Sequence, residues 1–203
     1  MNTIAKVISL EWKQFQRVQG QGGRAACQEN LKGFIINRLA QFLTWDEATL
    51  QGYCDDLSMA EVEGRNLMTE KYARMMRDTQ PHEYGKLCEF LPEIESVRVM
   101  LVEKIISIQT IWQKEFMEKY PCTANGSRPI SSRKNDPDST GFRTYLRSEL
   151  YTLSEKTLRL YLAHVEKMQA QGINMTIQNL EYVARMYGFE SLSEMEAVAA
   201  RRV

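Results

Sequence analysis

Apolar residues recur along most of the chain at intervals of three and four, the repeat of helices with one buried face. In residues 3–18 the stripe is Ile4, Val7, Ile8, Trp12, Phe15 and Val18. Gly20, Gly22 and Gly23 break it, and Leu31, Phe34, Ile35, Leu39 and Phe42 continue a helix predicted from Arg24. Thr44-Trp-Asp-Glu47 has the form of a capping box, which starts a third helix at Trp45 and carries it through Leu50 and Tyr53. Ser58-Met-Ala-Glu61 repeats that signature. The helix either restarts there or continues with a kink, and it ends near Asp78, ahead of Pro81.

A short helix follows from Pro81 to Phe90, with Tyr84, Leu87 and Cys88 turned inward. The longest stripe comes next: Ile94, Val97, Leu101, Ile105, Ile108, Trp112, Phe116 and Met117 predict a central helix over residues 93–119, about seven turns long. Tyr120-Pro121 ends it. Residues 121–139 have no apolar period and are rich in turn formers, which predicts one long loop acting as a lid, a binding loop or a disordered linker. Further helices are expected from Thr140 to Tyr151, from a Ser154 cap to a stop at Gly172, and from Thr176 to Tyr187 before Gly188. A last short one is capped by Ser191 or Ser193 and ends in Arg201-Arg202. No stretch alternates as a strand does. The expected fold is all-α, a single-domain bundle of about eight to nine helices spanning residues 1–203 around the long central helix.

Polar residues interrupt this pattern at informative places. The stretch Glu63–Arg77 is the densest in charge, and spacing of four puts Asn66, Glu70 and Arg74 in one row, with Leu67, Tyr72, Ala73, Met75 and Met76 supplying packing atoms. Glu11 falls inside the first stripe, four residues from both Val7 and Phe15, and Glu149 falls among Phe142, Tyr145, Leu146 and Leu150. A carboxylate so placed is either paired structurally or held for function. Arg24, Gln28 and Leu31 share a face just after the glycines. That junction is either an anion cradle at a helix N-terminus or a plain helix–helix turn, and its spacing is neither a Walker loop nor a dinucleotide fingerprint. His164, beside the stripe Leu158, Tyr161, Leu162, Val165 and Met168, reads as a surface or hydrogen-bonded residue.

Composition narrows the partners. The chain has 203 residues, 26 basic and 26 acidic, so bulk electrostatics favour neither nucleic acid nor an anionic membrane. The N-terminus lacks the basic region and apolar run of a signal peptide, and no window is apolar enough to cross a bilayer, which points to the cytoplasm. Cys27, Cys54, Cys88 and Cys122 form no C-x-x-C pair and have only His82 and His164 to join them, so they read as buried free thiols rather than a zinc site. Neither histidine follows a glutamate at the spacing of a di-metal bundle. Cys27 has a cationic neighbour in Arg24 but no nearby histidine to act as base. No metal or cofactor is indicated, and oligomeric state is not encoded in any of these patterns.

Several stretches together resemble the bacterial family known as domain of unknown function 4125. They are Glu11-Trp12, Gly22-Gly-Arg-Ala-Ala-Cys-Gln28, Gly64-Arg-Asn-Leu67, Glu70-Lys-Tyr-Ala-Arg-Met-Met76, Tyr120-Pro121, Arg128-Pro129 and Thr144-Tyr-Leu-Arg-Ser-Glu-Leu150. The resemblance spans nearly the whole chain and implies a single domain with no established activity. The chain departs from the family pattern at Ser127 and Ser148, where the pattern has glycines, and at Gly141-Phe-Arg143, where it has a more polar Ser-x-Glu.

Two readings of function follow. In the first, Glu11, Glu70 and Glu149 are catalytic carboxylates, and Arg24, Cys27, Gln28, Arg65, Asn66, Lys71, Arg74, Arg128, Tyr145 and Arg147 bind a ligand. Brought together, these residues form a polar pocket in a helical bundle, suited to an enzyme or binder of a small anionic or zwitterionic metabolite. Arg128, Arg133 and Lys134 make the loop locally basic, which suits such a ligand or simply a solvated loop. In the second, the chain is a non-enzymatic interaction module and the charges are structural ion pairs.

Overall fold

Asn2 accepts a hydrogen bond from Ile4 N and so opens the first helix, α1 (Thr3–Gln16), which buries Val7, Glu11, Gln14 and Phe15. The computed structural model describes residues 2–19, 23–132 and 140–201. Beyond α1 the chain forms α2 (Leu31–Phe42), α3 (Glu47–Val62), α4 (Leu67–Thr79), α5 (Pro81–Leu87) and α6 (Ser96–Lys119). It continues with α7 (Pro121–Ala124), α8 (Phe142–Leu150), α9 (Glu155–Ala170), α10 (Met175–Met186) and α11 (Leu192–Ala200). Short 3-10 turns cover Ala26–Glu29 and Cys88–Phe90. The fold is all-helical, with no strand among the described residues. The eleven α-helices among the described residues exceed the expected number, in part because α7 lies inside the predicted loop.

The predicted central helix is α6, 24 residues and about 36 Å long at 1.5 Å per residue. It starts at Ser96 rather than 93. Its buried residues run from Leu101 through Val102, Ile105, Ile106 and Trp112 to Phe116, and α7, α8, α9 and α10 all pack against it. On the other side α1 packs on α2, α3 and α4, while the α3–α9 and α4–α8 contacts join the two halves. The main core includes Val7, Phe42, Tyr53, Leu57, Leu67, Ile105, Leu150 and Leu158. A second cluster, Phe116, Tyr120, Ala124 and Leu192, seals the end where α7 meets α11.

Four further boundaries differ from the sequence expectation, each for a local reason. The helix expected from Arg24 begins at Leu31, because Asn30 caps it through Gly33 N. Gln28 turns inward instead, giving its side-chain amide N–H groups to Phe15 O and Val18 O at the end of α1. Arg24, Gln28 and Leu31 therefore share no helical face. Asp46, not Thr44, caps α3 by accepting from Thr49 N, and Thr44 gives its hydroxyl to Gln41 O. Ser58 starts nothing: it lies inside α3 with its hydroxyl on Cys54 O.

The fourth correction falls on the Glu63–Arg77 stretch. Gly64 adopts φ +72°, the left-handed conformation that ends α3, and Arg65 N closes back on Ala60 O. Asn66 then caps α4 through Thr69 N, while Gln14 of α1 accepts from Leu67 N at its side chain and from Asn66 Nδ2 at its backbone carbonyl. Asn66 is a cap rather than the first member of a helical row. The Pro81–Phe90 segment also departs from expectation, since Leu87 and Cys88 are exposed and nothing in α5 is fully buried. Of the cysteines only Cys54 is buried; Cys27 and Cys88 are exposed and Cys122 half-buried. Gly20, Gly22, Arg133 and Lys134, and with them most of the proposed anion cradle and the lid-or-linker question, lie outside the described residues.

Candidate functional site

Arg38, on the buried face of α2, joins two carboxylates from opposite ends of the chain. Its Nε donates to Glu11 Oε2 at 2.7 Å and its Nη2 to Glu11 Oε1, while Nη1 reaches Glu149 Oε1 at 3.0 Å. Tyr53 donates its hydroxyl to Glu11 Oε1 at 2.6 Å, and Gln41 bridges Arg38 and Glu149. On the far side of Glu149, Lys71 Nζ lies 2.9 Å from Oε2 and 2.7 Å from the Tyr145 hydroxyl. Lys71 also sits over the Tyr145 ring at 3.9 Å, and the Arg128 guanidinium lies 4.5 Å from the same ring. Arg128 is anchored in turn to Thr140 O.

The cluster holds two buried anions and two buried cations, so its formal charges cancel. Burial alone raises a carboxylate pKa, but Lys71 and Arg38 outweigh it and hold Glu149 well below the usual range. Burial likewise opposes the charged forms of Arg38 and Lys71, and the facing carboxylates more than reverse it, raising both. Burial and Glu11 together push the Tyr53 hydroxyl up. Near neutrality, proton transfer to Glu149 or from Lys71 would break an ion pair rather than use a poised group.

The remaining predicted residues bond elsewhere. Glu70 forms a two-pronged pair with Arg65 at 2.8 and 2.9 Å, and Arg65 also reaches Glu63. Arg24 is exposed and donates to Gln16, and Cys27 is exposed on the 3-10 turn. Gln28 and Asn66 are committed to the turn and cap described above. His164 holds Thr44 O at 2.7 Å beside Asp46. The structure thus brings Glu11, Lys71, Arg128, Tyr145 and Glu149 together and leaves Arg24, Cys27, Gln28, Arg65, Asn66 and Glu70 apart from them.

Arg74 and Arg147 face a cavity instead. It has a volume of about 480 Å³ and lies between α4, the α5 segment, the start of α6 and α8. A shallower groove of about 360 Å³ adjoins it, with Arg77, Asp78 and Arg147 lining both. Arg147 is neutralised by Glu103 at 2.7 Å, with Asp78 3.9 Å away. Arg74 is different. It is only 8% exposed, its Nη2 donates to Pro92 O at 2.7 Å, its Nε has no partner, and it makes no ion pair among the described residues. Burial lowers its pKa, only partly countered by Glu70. In the groove, Ser132 donates to Thr144, Thr144 donates to Asp78, and Arg143 stands at the rim. Neither pocket is lined by Glu11, Glu70 or Glu149. No group of three His, Cys, Asp or Glu side chains suited to a metal occurs among the described residues.

A family model described as "Protein of unknown function (DUF4125)" matches residues 1–197 of the 203-residue chain. The chain belongs to the DUF4125 family. No curated protein and no solved structure matches it.

Within this DUF4125 chain, the stretches behind the resemblance serve the charge cluster, the joints around α1 and, through Arg74 and Arg147, the cavity. Glu11, Lys71, Tyr145 and Glu149 build the charge cluster, and Gly64, Asn66 and Gln28 build the joints around α1. Arg143 and Ser148, at two of the points of departure from the family pattern, line the pockets. Arg38, Tyr53 and Gln41 stand outside the predicted set. Arg38 carried a signal, since it lies four residues from both Phe34 and Phe42 in the α2 stripe. Of the cavity walls, Tyr84 and Ile94 carried a helical apolar stripe, which marks packing rather than a cavity, and Pro92 and Tyr151 carried no signal.

Proposed function

We propose that this protein binds a small anionic or zwitterionic metabolite in the cavity beside Arg74, as a binding protein or an enzyme. One observation carries the reading: a buried guanidinium on a cavity wall, satisfied by one carbonyl and by no carboxylate. Desolvating a cation without a counter-anion is costly, and an anionic ligand group supplies what is missing. Glu11, Glu149, Arg38 and Lys71 serve on this reading as scaffold, because each charge already faces its opposite. A cytoplasmic setting fits four free cysteines, and no helix among the described residues is long and apolar enough to cross a membrane.

A second reading, the interaction module with structural ion pairs, draws on the closed pairs Arg65–Glu70 and Arg147–Glu103 as well as the cluster. Thermal-shift titration with phosphate and short carboxylates separates the two, since a ligand that binds the native state raises the melting temperature. The expected result is a concentration-dependent rise in the wild type that Arg74→Met weakens at least tenfold while Glu70→Gln leaves it intact. Equal shifts in Arg74→Met and wild type would remove Arg74 from the site, and no shift with any anion would favour the interaction module.

A further inference from the structure

The cavity at Arg74 is not polar throughout. Leu91, Pro92, Ile94 and Val99 line it together with the rings of Tyr84 and Tyr151, the latter 6.0 Å from the Arg74 guanidinium. Val99 is 38% exposed, a solvent-facing apolar group on the wall of a concave site rather than part of a sealed core. Arg98, next to Val99, repeats the chemistry of Arg74: its Nη2 donates to Tyr151 O and Leu153 O, its Nε is buried without a partner, and it forms no ion pair among the described residues. The lining is therefore mixed: an apolar strip of Leu91, Pro92, Ile94 and Val99 adjoins Arg74, while Arg77, Arg147, Asp78, Glu89 and Glu93 complete it and Arg98 is not part of it. The cavity volume lies in the range of sites that enclose most of a small organic ligand, where apolar walls supply affinity and a few polar groups set orientation.

We infer that the ligand is an amphiphilic anion, a carboxylate with an acyl or aryl body, seated with its carboxylate on Arg74 and its body along Leu91, Ile94, Val99 and the two tyrosine rings. The inference rests on the anion-binding reading above and narrows its ligand class. A bare inorganic anion meets only the arginine end and leaves the walls in contact with water. Each methylene laid against them releases apolar surface and tightens binding by about fourfold.

Titration of the full chain with butyrate, pentanoate, hexanoate and heptanoate, followed by thermal shift and calorimetry, tests this. The expected dissociation constants fall about fourfold per methylene until the cavity is filled, then level off. Arg74→Met weakens the whole series at least tenfold. Val99→Asn, at a partly exposed position, cuts the gain per methylene to less than half. Two results would overturn the inference and leave anion binding at Arg74 standing: wild-type affinities for butyrate and heptanoate within twofold of each other, or a length series unchanged in Val99→Asn. A length series that survives Arg74→Met would place the chains elsewhere and overturn it as well. Failure of phosphate and every carboxylate to bind would instead remove the reading beneath it.

Discussion

Lys71 Nζ and Glu149 Oε2 stand 2.9 Å apart with both residues buried, one on α4 and the other on α8, 78 positions later in the chain. Removing one partner leaves the other charged and desolvated, which typically costs about 3–5 kcal/mol. Lys71→Met should therefore destabilise the protein by about that amount in urea unfolding. The double variant Lys71→Met/Glu149→Gln should recover part of the loss, because the introduced side-chain amide keeps a neutral hydrogen-bonding group beside Arg38 and Gln41. Additive losses would show that the two residues are uncoupled.

The same pair sets an acid dependence. Glu149 ionises at lower pH in the folded chain than in the unfolded one, so its contribution is present above the unfolded value of about 4.3 and is lost as pH falls toward the folded one. Lys71 is raised, so its contribution is present below about 10.4 and is lost only as pH climbs through its folded value. Unfolding free energy should vary little from about pH 6 to 9 on their account and decline below about pH 4. Glu149→Gln should lower the plateau and flatten the acid limb. An acid limb of unchanged steepness would exclude Glu149 as its source.

Gly141 is where space rather than charge decides. A Cβ there would lie 2.3 Å from Ser131 C and 2.4 Å from Ser132 N, both backbone atoms that cannot swing away. The same stretch of chain is tied to the start of α8 by Phe142 N on Pro129 O and Arg143 N on Ile130 O. Gly141→Ala should cost about 1–3 kcal/mol and displace Ser131 and Ser132 from the groove. A melting temperature equal to that of the wild type would show that this close approach carries no weight.

Thiol labelling reads the surface directly. Cys27 and Cys88 should react in the native protein, and Cys54 only after unfolding. Cys122 should react slowly, since burial and Glu196 push its thiol up; Glu196 also caps α7 by accepting from Cys122 N and Thr123 N. Cys88 lines the Arg74 cavity, so saturating hexanoate should slow its labelling while leaving Cys27 unaffected. Equal slowing at both positions would point to a general effect rather than occupancy of the cavity.

Much of this architecture was legible in the sequence, for reasons that differ residue by residue. Glu11 and Glu149 stood out because a charge inside an apolar stripe has to be met by another group, and both are. Arg38 obeys the same logic. A long basic side chain at a helix margin is the ordinary case, however, because its head can reach water, so the pattern did not distinguish it. The row Asn66–Glu70–Arg74 dissolved because Gly64 and Asn66 are a stop and a cap two residues apart, and Glu70 turns back to Arg65 rather than forward to Arg74. The Arg74 cavity was illegible for a different reason. Its far wall, Leu91–Glu93, has no periodicity, and what places it is a hydrogen bond from a side chain to Pro92 O, a contact that leaves no mark in residue order.

The Arg38 cluster also bears on how the chain is made. Glu149 lies 111 residues after Arg38, so while the chain is being synthesised α1 to α4 are complete long before their second carboxylate exists. Until α8 emerges, Arg38 has Glu11 alone and Lys71 lacks its carboxylate. The first four helices cannot bury those groups without leaving a charge unmatched. A fragment ending before α8 is expected to remain loosely folded and to tighten when the missing piece, residues 140–201, is supplied in trans.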